Sequence, residues 1–183
     1  MSSNMMQETQ TENQIESRPH SERRLPDLTG SKINRSGLLV GTVAPDFDLR
    51  SLAGDRLSLG LFRGRRLLLV FSDPACGPCN ELLPKLGRLH LRTPDIAVLM
   101  ISRGDAGANS KKVDEHHLTF SVALQRGWEI SRLYGLFATP CAYLIDAKGT
   151  IAAPPAVGSI AILNLLTGAA ILSLLQDGAE LSI

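Results

Sequence analysis

The chain has 183 residues, of which 44% are hydrophobic, and a formal net charge of +1. This length suits one domain with a tail, and the apolar fraction is high enough for a packed core, which excludes a wholly disordered protein. The mixed, nearly balanced charge gives no electrostatic basis for binding nucleic acid, an anionic membrane or a strongly charged substrate. The three cysteines are too few for a small secreted scaffold held together by disulfides.

Residues 1–36 are rich in Ser, Asn, Gln, Glu and Arg and contain no aromatic residue. Such a segment buries too little apolar surface to offset its ordering entropy. We therefore predict a disordered tail over 1–36 and a folded domain over 37–183. The first twenty residues contain no apolar run, so we expect neither a signal peptide nor an N-terminal membrane helix. On this basis the sequence predicts a cytoplasmic protein.

Two short strands open the predicted domain, one within 41–49 and one over 55–59 after the turn at Ala53-Gly54. The continuous apolar run 67–71 is typical of a strand buried on both faces. Further along the chain the patterns predict strands over 96–101, 120–124, 141–145 and 150–152 and helices over 106–117, 128–136 and 159–175. Ser159 is the expected cap of the last helix, and Asp177-Gly178 its stop. This alternation predicts an α/β sandwich with a partly parallel sheet.

The run Cys76-Gly77-Pro78-Cys79 follows the first buried strand. Proline is favoured in a first helical turn, and leucines recur at helical spacing after it, so we predict a helix that begins at Gly77–Pro78. Cysteines at i and i+3 share one side of a helix and can close a disulfide. Unpaired N–H groups at the helix N-terminus favour a thiolate on the first cysteine. We therefore predict that Cys76 attacks a partner's disulfide and that Cys79 resolves the mixed disulfide.

A pair of cysteines at this spacing can also form half of a zinc site, which needs two more Cys or His ligands. The remaining candidates, His116, His117 and Cys141, lie far along the chain. Copper chaperones with a CxxxC motif have three residues between their cysteines, whereas two residues separate Cys76 from Cys79, so the spacing does not fit this class of protein. We therefore expect no metal and no cofactor other than the redox-active disulfide Cys76–Cys79.

Residues 41–152 resemble the redoxin/TlpA-like branch of the thioredoxin superfamily. The matching features are the Gly41…Ala44-Pro45-Asp46-Phe47…Leu49 opening, Gly54, Gly64, the CxxC motif, Thr139-Pro140 and Asp146…Gly149. The approach Phe71–Cys76, with Leu82-Leu83-Pro84 beyond it, is similar to that of MauD-type methylamine-utilisation proteins. Those relatives are membrane-anchored or periplasmic thiol–disulfide proteins that help to mature partner enzymes.

The resemblance implies a thioredoxin-like three-layer sandwich with a mixed central sheet and an N-terminal redoxin hairpin. It also implies a disulfide reductase type of oxidoreductase, which needs a disulfide-bearing protein client and a thiol electron donor. Thr139 and a cis-Pro140 would align the client opposite Cys76, because cis bonds are nearly confined to X-Pro. The cell envelope becomes the alternative location.

Two acidic residues that thioredoxin or TlpA-like proteins carry near the CxxC motif are replaced by apolar residues in this chain. Val70 stands where thioredoxin has a buried acid, and Leu82 where many TlpA-like proteins have a glutamate. Asp73 and Glu81 are the nearest auxiliary candidates for proton transfer, and ordinary surface charge is the alternative interpretation of both.

Two other departures flank the predicted site. Ala75 replaces the tryptophan that usually precedes the first cysteine of thioredoxin, and Cys141 follows Pro140 directly. We interpret Cys141 as a small buried apolar side chain, the usual environment of a free cysteine. The alternative is a third redox thiol.

Two other functions compete with the oxidoreductase. Peroxiredoxins share the opening of the domain, but they carry Pro and Thr or Ser at the positions of Leu69 and Asp73. A thioredoxin-fold maturation or interaction factor could hold a client without turnover. The apolar run 160–175 would span about 24 Å as a helix, less than the ~30 Å of a bilayer core. We therefore predict that it covers the sheet, and a membrane-facing or self-association surface is the alternative.

Overall fold

The computed structural model describes residues 36–180, with side chains described to residue 175. The predicted tail, except Ser36, therefore lies outside the described residues. The described residues belong to one compact unit, Ile33–Ile183. Its strands are β1 (Asp48–Arg50), β2 (Arg56–Ser58), β3 (Arg66–Ser72), β4 (Ile96–Ser102), β5 (Ser121–Leu124), β6 (Cys141–Ile145) and β7 (Ala156–Val157). Its α-helices are α1 (Gly77–His90), α2 (Ala106–His116), α3 (Glu129–Leu133) and α4 (Ser159–Glu180), and a 3-10 turn spans Leu59–Phe62.

The central sheet has five strands in the order β5-β4-β3-β6-β7. Strand β3 pairs in parallel with β4 and antiparallel with β6, so the sheet is mixed as predicted. Strands β1 and β2 form a separate antiparallel hairpin, which confirms the predicted N-terminal hairpin. In the parallel pair, Ser72 lies opposite Ser102 at the carboxyl ends of both strands. The residues that follow these two ends therefore meet at one edge of the sheet.

Two apolar layers enclose the sheet, because successive side chains of a strand point to opposite faces. Leu67, Leu69 and Phe71 of β3 pack with the hairpin and α3. Leu68 and Val70 pack on the other face with residues of α1 and α4. These layers confirm the three-layer sandwich and explain why β3 is apolar at every position between its ends.

Helix α4 packs on the sheet as predicted through Ile162, Leu166 and Ala169, which are at most 3% exposed. The hydroxyl of Ser159 donates to the carbonyl of Pro78 at 2.9 Å, so it joins the beginnings of α4 and α1. The predicted stop at Asp177-Gly178 was wrong, since the helix continues to Glu180. None of the described helices is long and apolar enough to cross a membrane.

Three predicted elements are shorter in the structure. The predicted first strand is reduced to a bridge at Val43 and to β1, since Pro45 has no N–H to donate. The predicted strand 150–152 is reduced to isolated bridges, one of which pairs Ile151 with Ile145 at the end of β6. The other end of β6 pairs with β7, a strand that we did not predict. Helix α3 ends at Leu133 because the chain turns at Gly135, which has a φ of +68°.

Candidate active site

Cys76 and Cys79 form a disulfide at the N-terminus of α1. Cys76 is the N-cap residue, with an extended backbone (φ −87°, ψ 116°), and Pro78 lies in the first turn, as predicted. The N–H of Cys79 donates to Cys76 Sγ at 3.2 Å. An N–H that has no partner inside the helix is therefore directed at the first sulfur, where it would stabilise negative charge.

The two cysteines differ in accessibility. Cys76 is partly exposed and lies beside the exposed Gly77 and Pro78, whereas Cys79 is 1% exposed. An incoming disulfide can therefore reach Cys76 first. Cys79 is placed to attack the sulfur of Cys76 from inside the protein.

The loop before β6 lies against Cys76. The Thr139–Pro140 bond is cis, and the carbonyl oxygen of Thr139 is 3.4 Å from Cys76 Sγ. Pro140 is buried, and its carbonyl accepts the N–H of Gly158 at 2.9 Å. The structure therefore brings together residues that are more than sixty positions apart in the sequence and that the sequence had assigned to one site.

Asp73 lies in the loop that leads to Cys76. Its Oδ1 accepts the N–H of Ala75 at 2.9 Å, and its main-chain carbonyl accepts the N–H of Cys76 at 3.1 Å. Its Oδ2 is 3.2 Å from Nε of Arg103. The carboxylate is thus engaged in the loop and in an ion pair, and it is directed away from free solvent.

Arg103 was not identified from the sequence. It follows β4 directly, as Asp73 follows β3, and the parallel register of the two strands places them side by side. The guanidinium carbon lies 4.1 Å from the ring centroid of Trp128, and that ring contacts Phe137 with centroids 6.1 Å apart. A charged residue just after a predicted parallel strand was the signal that could have indicated it.

Gln125 is a second residue that the sequence did not identify. Its Oε1 accepts the N–H groups of Ile130 and Ser131, both at 3.1 Å, and its Nε2 donates to Ser131 Oγ at 3.0 Å. This buried side chain therefore caps α3. The cap fixes the loop that carries Trp128 beneath Arg103.

The other auxiliary candidates occupy different surroundings. Glu81 is exposed on α1, whereas Val70 and Leu82 are core residues. The next residue after Cys79, Asn80, donates from Nδ2 to the carbonyl of Pro74 at 3.2 Å, and its buried Oδ1 has no hydrogen-bond partner. Asn80 therefore ties α1 to the loop before Cys76.

Cys141 is the first residue of β6 and is fully buried. It belongs to the apolar layer that contains Phe71 and Tyr134. Burial raises the pKa of the Cys141 thiol to about 12. At neutral pH this thiol is protonated, so its surroundings are those of a packed core residue.

In the described part of the chain, no three His, Cys, Asp or Glu residues lie close enough together to hold a metal ion.

Comparison with protein families gives a match to the AhpC/TSA family over residues 40–153. The chain is 32% identical to the thioredoxin-like protein YneN of Bacillus subtilis over 120 residues, which are 63% of this chain and 70% of the relative. It is 29% identical to the thiol-disulfide oxidoreductase ResA of Geobacillus thermodenitrificans over 120 residues, 64% and 69% of the two chains. It is 30% identical to the methylamine utilization protein MauD of Paracoccus versutus over 124 residues, 68% and 62% of the two chains.

Solved structures show the same likeness. A Chlorobium tepidum protein described as a thiol:disulfide interchange protein DsbE superposes with a TM-score of 0.67 at 27% identity, over 74% of this chain and 97% of that protein. These findings confirm the thioredoxin fold and the resemblance to TlpA-type and MauD-type redoxins. They also confirm the prediction that the chain is a thiol–disulfide oxidoreductase.

Proposed function

The chain belongs to the AhpC/TSA family and is a thiol–disulfide oxidoreductase, and we propose that Cys76 and Cys79 perform its reaction with protein clients. The observation that carries this proposal is the pairing of a partly exposed Cys76 with a buried Cys79 at a helix N-terminus. Such a pair can exchange its disulfide with that of another protein.

The reaction begins when the Cys76 thiolate attacks one sulfur of the client disulfide. A Cys76–client bond forms, the client S–S bond breaks, and the released client thiolate takes a proton from water. Cys79 then loses its proton to water, and its thiolate attacks Cys76 Sγ. This step forms the Cys76–Cys79 disulfide and releases the second client thiol. Two electrons have moved to the client, and a thiol donor must return two to the protein.

The local geometry supports these roles. The N–H of Cys79 and the other free amides of the first turn stabilise a thiolate on Cys76. The carbonyl of Thr139 and the cis-Pro140 border the open side of Cys76, where an extended client segment would lie. The exposed Gly77 and Pro78 leave the approach to the sulfur unobstructed.

We propose reduction of clients as the direction of transfer. Gly77-Pro78 is the dipeptide of thioredoxin, whose reduction potential is about −270 mV. The partners are then a disulfide-bearing protein and a thiol donor, and the reaction requires no nucleic acid and no cofactor beyond the Cys76–Cys79 pair. The cytoplasm, which supplies thiol reductants, remains our prediction for the compartment, and the cell envelope is the alternative. Membrane association remains a less favoured prediction.

Insulin reduction with dithiothreitol as donor tests the proposed function. We expect the wild-type protein to accelerate reduction, the Cys76→Ser variant to give the uncatalysed rate, and the Cys141→Ala variant to match the wild type. The third cysteine thus supplies a matched control. A wild-type rate equal to the uncatalysed rate, with a reducible Cys76–Cys79 bond, would instead support a maturation factor that acts without turnover.

The same preparation can test the peroxidase alternative. Leu69 is a core residue and Asp73 is held in an ion pair, so neither contributes to a peroxide pocket of the peroxiredoxin type. We expect no consumption of hydrogen peroxide above that of the Cys76→Ser variant. Stoichiometric consumption that depends on Cys76 would overturn this expectation.

A further inference from the structure

An ion pair adjoins the reactive disulfide. Four salt bridges connect the described residues, and three of them lie on the hairpin or within α2. The fourth joins Asp73, in the loop before Cys76, to Arg103, whose side chains are only 18% and 29% exposed. Partial burial reduces the screening of these two charges by solvent.

The Asp73 carboxylate cannot turn away from this position without losing contacts. Its Oδ1 holds the N–H of Ala75, and its carbonyl holds the N–H of Cys76. A fixed negative charge three residues before Cys76, in the loop that leads to it, disfavours a thiolate there. A cation that balances this charge would therefore favour the thiolate of Cys76.

Arg103 is held in place from three directions. Its N–H donates to the carbonyl of Ser72 at 3.1 Å, and its carbonyl accepts Nδ2 of Asn109 at 2.7 Å. The guanidinium lies against the ring of Trp128, at 4.1 Å from the centroid. Since its planar group is stacked on one side and paired on another, the charge of Arg103 has a defined orientation toward Asp73.

We propose that Arg103 is a positioning residue, which neutralises Asp73 beside the dithiol and thereby sets the reactivity of the Cys76 thiolate. This inference rests on the proposed role of Cys76 as the nucleophile. It also gives Trp128 a role, because its ring orients the guanidinium of Arg103. The site thus contains a tryptophan even though Ala75 stands where thioredoxin usually has one.

Other charged groups around the site are turned toward other partners or toward solvent. Glu81 lies on the exposed side of α1, and Asp105 accepts the N–H of Ala108 at the start of α2. Glu129 accepts the N–H of Arg126 at the start of α3. Cys141, on β6, is protonated at neutral pH because of its burial. Asp73 and Arg103 are therefore the charges whose removal tests the proposal.

The two single substitutions must act in opposite directions. Arg103→Met removes the cation and leaves Asp73 unbalanced, so the pKa of Cys76 rises. Asp73→Asn removes the anion but keeps an oxygen that can accept the N–H of Ala75, so the pKa of Cys76 falls. In the double variant both charges are absent, and the pKa returns toward the wild-type value. A purely structural role would move both single variants in the same direction.

The experiment is iodoacetamide alkylation of reduced Cys76 as a function of pH, followed by mass spectrometry of the Cys76 peptide. At a fixed pH below the pKa, we expect Arg103→Met to slow alkylation about threefold to tenfold and Asp73→Asn to accelerate it by a similar factor. Arg103→Lys, which keeps the charge, should recover most of the wild-type rate. Arg132→Met, at an exposed site on α3, is the matched control and should leave the rate unchanged.

Shifts of the same sign in both single variants, or no shift in either, would contradict the proposal. Circular dichroism of each variant separates loss of fold from a change in reactivity. Alkylation does not require a client, so the experiment remains informative if insulin reduction fails. The proposed function and the role of Arg103 can therefore fail independently.

Discussion

The N–H of Cys79 points at the sulfur of Cys76 across 3.2 Å, although Cys79 itself is buried. In the proposed reaction, Cys79 would therefore stabilise the Cys76 thiolate through its N–H before its own sulfur reacts. This arrangement arises because Cys76 caps α1 with an extended backbone, while Cys79 lies one turn further along the helix. The N-terminus of α1 therefore holds both groups that the proposed reaction requires, the N–H that would stabilise the nucleophile and the thiol that would resolve the mixed disulfide.

The alkaline stability of the protein should depend on Cys141. Burial raises the pKa of this thiol to about 12, whereas the pKa of a cysteine in an unfolded chain is about 8.5. Between the two pKa values the unfolded chain loses a proton that the folded protein keeps, so the free energy of unfolding decreases as the pH rises from the pKa of the unfolded chain toward that of the folded protein. We expect the free energy of unfolding to fall less steeply with pH above about 8.5 in Cys141→Ala than in the wild type. Urea unfolding across this range measures the two slopes, and parallel slopes would contradict the prediction.

Tyr143 connects the beginning of the domain to the central sheet. Its hydroxyl donates to the carbonyl of Tyr134 and accepts the N–H of Leu38 at 2.9 Å. Tyr143→Phe leaves both groups without this partner, so we expect a loss of about 1–3 kcal/mol in the free energy of unfolding. Chemical denaturation measures the loss. Tyr134→Phe, which removes one bond to the carbonyl of Pro45, is a comparison variant and should lose less.

Gln125 should control the environment of Trp128, the single tryptophan of the chain. Gln125→Leu removes the acceptor for two N–H groups of α3 and leaves them buried, at a cost of about 1–3 kcal/mol. Because α3 follows Trp128 directly, we also expect a changed tryptophan emission spectrum in the folded state. Gln125→Glu keeps an oxygen that can accept the N–H groups of Ile130 and Ser131, so this variant is the control for loss of the cap. An unchanged spectrum and stability in Gln125→Leu would show that the cap is dispensable.

His90 should make the protein sensitive to mild acid. Its pKa is lowered by burial and, to a lesser extent, by the positive charge of Arg65. Because the pKa of His90 is lower in the folded protein, the unfolded chain binds this proton at a higher pH than the folded protein does. The contribution of neutral His90 to the free energy of unfolding is therefore complete above about pH 6.5 and is lost as the pH falls. Thermal unfolding from pH 7 to 5 should show a smaller loss of stability for His90→Gln than for the wild type. His117→Asn, at an exposed position with a φ of +49° that asparagine tolerates, should keep the wild-type slope because His90 remains.

The chemistry of the motif could be predicted because it is local. Cys76, Pro78 and Cys79 lie within one turn, and the position of proline alone indicates where the helix begins. Continuous apolar runs also predicted β3 and β4 to within one residue at each end, since both strands are buried on both faces. The position of Pro140 beside Cys76 could be predicted only from the resemblance to thioredoxin-like proteins. The two residues are far apart in the sequence, and the folded sheet brings them together.

The contacts that the sequence analysis did not predict depend on long-range geometry. Asp73 and Arg103 become partners only when β3 and β4 pair in the observed register, which no local pattern specifies. The cap on the first turn of α3 depends on Gln125, and the early end of the helix depends on the turn at Gly135, both outside the helix. Strand β7 also depends on long-range geometry, since it pairs with Cys141 and Ala142 of β6 while Ile151 bridges Ile145 at the other end of that strand. Local periodicity cannot predict a strand of two residues such as β7.

The most direct test of the assigned roles is to trap the mixed disulfide. A client peptide with one disulfide is mixed with reduced Cys79→Ser and with reduced Cys76→Ser, and the adducts are mapped by mass spectrometry. We predict a stable peptide adduct on Cys76 in Cys79→Ser and none in Cys76→Ser, because Cys79 is buried. An adduct on Cys79 or Cys141, or equal adduct yields in both variants, would contradict the assignment of Cys76 as the nucleophile.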